Sequence, residues 1–330
     1  MNNSRNATLD LSRFIAALIV FAGHLIFFVP KTYIWSPETI SVLSLFRTGE
    51  IAVLYFFALS GFVLTIGTSN QLYSSWVKKR LIRLYPVYIS AWFLGFAIVV
   101  LHNYALLNVK VIFLGLIGFQ SLDPEGYAVI NAPLWSLSVE IVFAFFLYYI
   151  LRLRTRPIIL LSLLFPAVLL WQAIPSSLVC RALPYFIIGV LLNSERVRNV
   201  RFNNYLVAAS ISAVAIYYVF DGASRLLAIP NNFWGELMKI VLISLAVFSL
   251  SQVEVHGRAE QIFIALGKRS FCLYAFHYPV LLVVNYFVQP KSALEFSVYA
   301  IISILVSIAT AEFTFRCIDL PSTRISRGKN

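Results

Sequence analysis

The chain has 330 residues, of which 60% are hydrophobic and 12% charged, with a mean hydropathy of +0.83. No soluble core of this size needs that much apolar surface, and several stretches are long enough to cross a bilayer, so the composition excludes a soluble enzyme and implies a polytopic membrane protein. A net charge of +12 raises nucleic acid as a partner, but the basic residues sort by membrane side and leave no nucleic-acid surface.

The first apolar stretch, 9–29, is too long for the core of a signal peptide and follows no basic leader with a small-residue cleavage site, so it is expected to be retained. It contains Arg13 and His24 with ten residues between them. Eleven helical steps overshoot three full rotations by only about 20°, which puts both on one face, about 16 Å apart along the axis. Arg13 alone can snorkel to the inner surface, whereas His24 lies too deep, so the pair suggests a functional face. Ala16, Ala17, Ala22 and Gly23 keep part of this helix slim enough for a ligand or close packing.

The second stretch, 50–68, places Ser60 and Gly61 near mid-membrane, where glycine permits close backbone approach. The run WVKKRLIRLYP follows, with Lys79, Arg80 and Arg83 at an inner mouth able to hold phosphates; anionic-lipid contact is the competing reading. After 85–102 comes 106–120, which is short and carries Lys110, Gly115 and Gly118. In 133–151 the sequence PLWSLSVE puts Glu140 near the expected depth of His24, where it would hold the imidazole tautomer. The stretches 157–173, 181–193, 203–220 and 236–253 precede 270–289, in which Tyr274 and His277 share a face. A buried, satisfied histidine beside Pro279 is the alternative for His277. The last stretch is 296–317. Cys180, Cys272 and Cys317 lie far apart, without disulfide or metal-ligand spacing, so neither a metal nor a permanently bound cofactor is expected.

If every stretch crosses, Arg152, Arg154 and Arg156 fall outside, against the positive-inside rule. If 106–120 enters and leaves on one side, as a protein-buried re-entrant segment can, the basic clusters 78–83, 152–156, 196–201, 258–269 and 316–329 all face the cytoplasm. Lys31, Arg47, Lys110, Arg181, Arg225, Lys239 and Lys291 are then left outside. The expected fold is an all-α polytopic membrane protein with about ten transmembrane helices and one re-entrant segment. Both termini are expected to be cytoplasmic, and residues 1–330 to form one domain without a separate soluble part.

Taken in order, Arg13-x10-His24 after LDLSR, FFALSGFVLT, KKRLIRLYP, NAPLWSLSVE, GKRSFCLYAFHYPV and CIDLPSTR resemble the motifs of membrane acyltransferase family 3, over about residues 7 to 325. Asp319 departs from the pattern, since the family usually has glutamate before the final proline. Members are O-acyltransferases of bacterial surface glycans, Nod-factor sugars or macrolides, and this chain resembles the stand-alone kind without an appended hydrolase-like domain. The resemblance implies acetyl-CoA or another acyl-CoA as donor substrate, a saccharide or lipid-linked glycan as acceptor, membrane lipids as surroundings, and the bacterial cytoplasmic (inner) membrane as location. It also implies Arg13, Ser60, Gly61, Lys79, Arg80 and Arg83 on the donor side and His24 as general base or acyl acceptor. Glu140 would orient His24, with Tyr274 or His277 donating to the thioester oxygen. A proton-coupled transporter of a small solute or glycan precursor is the rival reading of the same intramembrane charges.

Overall fold

A computed structural model describes residues 6–27, 49–64, 72–174, 176–194, 197, 199–213 and 233–326. Among these every regular element is a helix, with no strand. The helices are α1 (Ala7–Phe27), α2 (Gly49–Leu64), α3 (Tyr73–Asn103), α4 (Val109–Leu116), α5 (Leu134–Phe146), α6 (Pro157–Ala173), α7 (Leu178–Leu192), α8 (Phe233–Gln252), α9 (Arg258–Val288) and α10 (Ala293–Thr314). Residues 204–213 are also helical. The chain after α10 passes through a π turn, Phe315–Asp319, into Leu320–Ser326.

The helices of α1, α3, α8, α9 and the run Ala293–Ser326 are long and apolar enough to cross a membrane, and α2, α5, α6 and α7 are shorter apolar helices. The chain is a multi-pass membrane protein. The connections that carry the outer-face charges Lys31, Arg47 and Arg225 lie almost wholly outside the described residues, as do Arg5, Arg196, Arg198, Arg327 and Lys329.

The core lies where α1 packs on α9 and α2, and α2 on α7. Two glycines set the α2–α7 crossing. A Cβ on Gly61 would strike the Phe186 carbonyl, and one on Gly189 would strike the Ala58 carbonyl, so only a glycine pair lets the two backbones meet. Gly61, expected on the donor side, is thus turned to a neighbouring helix and serves the crossing.

The stretch 106–120 folds as α4, eight residues and therefore about 12 Å long, too short to cross a hydrocarbon core of about 30 Å. Its ends are satisfied internally. Asn108 caps the first turn by accepting from Val111 N at 2.9 Å, and the hydroxyls of Tyr85 and Tyr88 on α3 donate to the carbonyls of Leu116 and Gly115 at 2.5 and 2.8 Å. Gly118, at φ +82°, then turns the chain back in the left-handed region that favours glycine. Lys110, outside the spanning helices, is tied to Asp123 at 2.8 Å, and that hydrogen bond holds its ammonium above the ordinary lysine value.

The segment between α4 and α5 reaches the surface at Leu122, Pro124, Glu125 and Ala128 but is anchored in the bundle. Gln120, Ser121, Asp123 and Asn131 are all buried, and Asn131 donates to the carbonyls of Ala91 on α3 and Ala275 on α9 at 3.3 and 3.1 Å. Helix α5 therefore begins inside the bundle, already at the level of Tyr274, whose hydroxyl reaches the Pro133 carbonyl at 3.0 Å.

Candidate active site

Two cavities lie side by side in the bundle, and Tyr274 lines both. The first, about 90 Å³, is walled by Arg13 of α1, Ser60 of α2, Arg80 and Arg83 of α3, Ser136 and Glu140 of α5, and Ser270 and Tyr274 of α9. Helix α3 starts at Tyr73, so the basic run is the opening of a long helix and not a loop before one. The period of that helix turns Arg80 and Arg83 to the cavity. Lys79 is exposed and stands apart from the cavity wall.

Glu140 sits in this first cavity. Its carboxylate accepts from Ser60 Oγ at 2.7 Å and from Arg80 Nη2 at 3.2 Å. The expected Glu140–His24 contact is not formed. Because α5 starts within the bundle, Glu140 is carried past the level of His24 to the arginines, and a carboxylate with little solvent takes the strongest donor within reach. Arg13 meets Asp10 at 3.2 Å. With three arginines on the wall against Glu140 and the Asp10 behind Arg13, the site keeps an excess of positive charge suited to an anionic ligand.

His24 lines the second cavity, about 280 Å³, together with Tyr127, Trp135, Glu50 of α2, Arg181 of α7 and Tyr274. Its partner is His277, with His277 Nε2 at 3.2 Å from His24 Nδ1. The hydrogen positions follow from the acceptors. His277 Nδ1 lies 2.7 Å from the Tyr274 carbonyl, which can only accept, so Nδ1 carries the hydrogen and the neutral ring presents a lone pair at Nε2. His24 Nδ1 faces that lone pair and, at 2.9 Å, the Val20 carbonyl, so it too carries the hydrogen. The remaining nitrogen, His24 Nε2, holds the free lone pair of the relay.

The same count removes two expected donors. Both ring nitrogens of His277 are committed, one as donor to Tyr274 and one as acceptor from His24. The hydroxyl of Tyr274, buried between the cavities, lies 3.0 Å from the Pro133 carbonyl and 2.7 Å from Ser136 Oγ, so its one hydrogen is taken by one or the other. In this arrangement neither side chain has a hydrogen left for a thioester oxygen. Tyr274 instead stands as a latched wall.

A family model described as an acyltransferase domain matches residues 6–312, a span that contains both cavities and the histidine pair. The chain belongs to acyltransferase family 3. The acyltransferase MdmB of Streptomyces mycarofaciens is 26% identical over 313 residues, covering 82% of this chain and 77% of that protein. No solved structure matches the chain. In this acyltransferase the structure brings together, in two clusters, Arg13, Ser60, Arg80, Arg83 and Glu140 around one cavity, and His24 and His277 beside the other, joined by Tyr274.

Sequence reasoning did not single out Glu50, Ser136 or Trp135, and it counted Arg181 only as an outer-face charge. Glu50 and Arg181 form an ion pair across α2 and α7 on the wall of the second cavity. Opposite charges in the first turns of two apolar helices were the available signal, but no periodicity within either helix says which neighbour it meets.

Proposed function

We propose that the protein transfers an acyl group, acetyl in the simplest case, from cytoplasmic acyl-CoA to a hydroxyl of a saccharide or lipid-linked glycan at the outer face of a bacterial inner membrane. About ten crossings with cytoplasmic termini and the re-entrant α4 put the arginine-lined cavity toward the cytoplasm. The phosphates of the donor bind Arg13, Arg80 and Arg83, with Lys79 at the surface as an approach charge, and the pantetheine arm rises along α1. Glu140 and Ser60 hold Arg80 in place; orientation of His24 falls to His277 and the Val20 carbonyl.

One observation carries the reading: the relay from the Tyr274 carbonyl through His277 to His24 leaves the His24 Nε2 lone pair beside a cavity that shares a wall with the arginine-lined one. In the transfer step His24 Nε2 takes the acceptor hydroxyl proton as the oxygen attacks the thioester carbon. The new C–O bond forms, the C–S bond breaks, and the proton passes to the departing thiolate to give free CoA. The imidazolium formed on the way is stabilised by its Nδ1–H bonds to Val20 O and His277 Nε2. The same lone pair is also placed to attack the thioester itself, giving an acyl-histidine that the acceptor then resolves.

The test is incubation of the purified protein in nanodiscs with radiolabelled acetyl-CoA, wild type beside His24→Ala, following CoA release and label retained on protein. Wild-type release that falls about 10²- to 10⁴-fold in the variant supports His24 as base, and retained label selects the covalent route. Unchanged release in the variant refutes the role of His24. Absence of CoA binding by the wild type returns the transporter as the better reading.

A further inference from the structure

Of the ion pairs that lie away from the donor cavity among the described residues, two differ in kind. Glu236 and Lys239 on α8, 2.7 Å apart with side chains 2% and 1% exposed, are sealed in the bundle, with Tyr185 donating to Glu236 at 2.9 Å. Glu50 and Arg181 keep 18% and 22% exposure and line the second cavity. The position of Glu50 is fixed by its neighbour. Gly49 packs on α1 so closely that a Cβ there would lie 3.3 Å from Val20 Cα, in the turn whose carbonyl orients His24.

We propose that the Glu50–Arg181 pair positions the acceptor, holding an uncharged sugar ring in the second cavity so that one of its hydroxyls meets His24 Nε2. The inference rests on the acyltransferase reading above and goes beyond it by assigning the acceptor subsite and its charge preference. A carboxylate and a guanidinium side by side offer vicinal hydroxyls an acceptor and donors with no net charge. An anionic acceptor would instead call for surplus cations, the arrangement found in the first cavity, where arginines outnumber the glutamate. Trp135 and Tyr127 on the same wall give the C–H face of a pyranose an aromatic surface to lie on. Cavities with an apolar or aromatic lining and a few convergent polar groups are the usual form of small-ligand sites.

The experiment reads protection of His24 from diethyl pyrocarbonate, by peptide mass spectrometry, with methyl β-glucopyranoside and its uronate counterpart as probes. It compares wild type, Glu50→Gln, Arg181→Met and the double exchange Glu50→Arg with Arg181→Glu. Melting with and without CoA is measured in parallel. The expected result is protection by the uncharged glycoside in wild type. The concentration for half protection rises about tenfold or more in each single variant, while CoA still raises the melting temperature. The double exchange restores the clip between α2 and α7, and with it stability, but it moves the guanidinium to α2 and the carboxylate to α7, so a ring held by the swapped donors and acceptor no longer presents its hydroxyl to His24 Nε2 and protection stays lost.

Equal protection in the single variants, or protection restored by the exchange, overturns the proposal by reducing the pair to a helix clip. So does protection by the uronate alone, or by neither glycoside. Failure of CoA to stabilise wild type instead overturns the acyl-CoA reading, whatever the glycosides do.

Discussion

Replacing His277 separates its role from that of His24. In His277→Leu the His24 Nδ1–H loses the acceptor at 3.2 Å but keeps the Val20 carbonyl at 2.9 Å, so the tautomer survives. What is lost is support for the imidazolium in the transition state. A hydrogen bond contributes about 0.5–1.5 kcal/mol between neutral groups and about 1.5–3 kcal/mol when one partner is charged. The difference, about 1–1.5 kcal/mol, corresponds to a fall of about five- to tenfold in kcat. His277→Gln, whose amide oxygen can accept from Nδ1, should recover much of that. The assay is CoA release at saturating acetyl-CoA, with kcat and donor KM fitted separately; KM should stay within about twofold, because His277 lies apart from the arginine-lined cavity. A loss of about 10³-fold or more would mean that His277 touches the reacting atoms, and the relay as drawn would be wrong. No loss at all would make the pair mere packing.

Glu140→Leu leaves the Arg80 guanidinium, on a side chain 9% exposed, without its carboxylate, at a cost of about 3–5 kcal/mol. The melting temperature in detergent should fall by several degrees, and the double variant Arg80→Met with Glu140→Leu should recover most of it; a double variant no better than the single would place the cost elsewhere. Tyr274→Ala removes the wall common to both cavities, and acetyl-CoA hydrolysis without acceptor should rise, measured as CoA release, whereas Tyr274→Phe keeps the ring and should leave that hydrolysis near wild type. Hydrolysis unchanged in Tyr274→Ala would show that the ring does not separate donor from water.

Some of this was legible without a structure because it depends only on local rules. Hydropathy reports the solvent of each stretch, so the membrane class and the order of apolar segments could be read directly. The common face of Arg13 and His24 follows from the period of one continuous helix. The weakness of 106–120 as a span came from its length and glycines, and α4 is indeed only eight residues long. Hydropathy marks where lipid begins, however, not where a helix begins. The charged turns 73–84 and 258–269 therefore belong to α3 and α9, although they were expected as flanks.

The partners of the intramembrane charges needed the tertiary structure. Glu140 and His24 matched in expected depth only on the assumption that α5 starts at the membrane edge. Buried Asn131, bonded to carbonyls of α3 and α9, pulls that start inward and carries the carboxylate to Arg80, leaving His24 to His277. Depth and rotation between helices are set by such anchors and by close crossings like Gly61 on Gly189, which join residues far apart in sequence and leave no period in either segment. The sequence alone determined the solvent of each helix and the face of α1 on which Arg13 and His24 lie together. Only the packing decided which charge meets which, because a buried group takes the partner that three-dimensional reach allows.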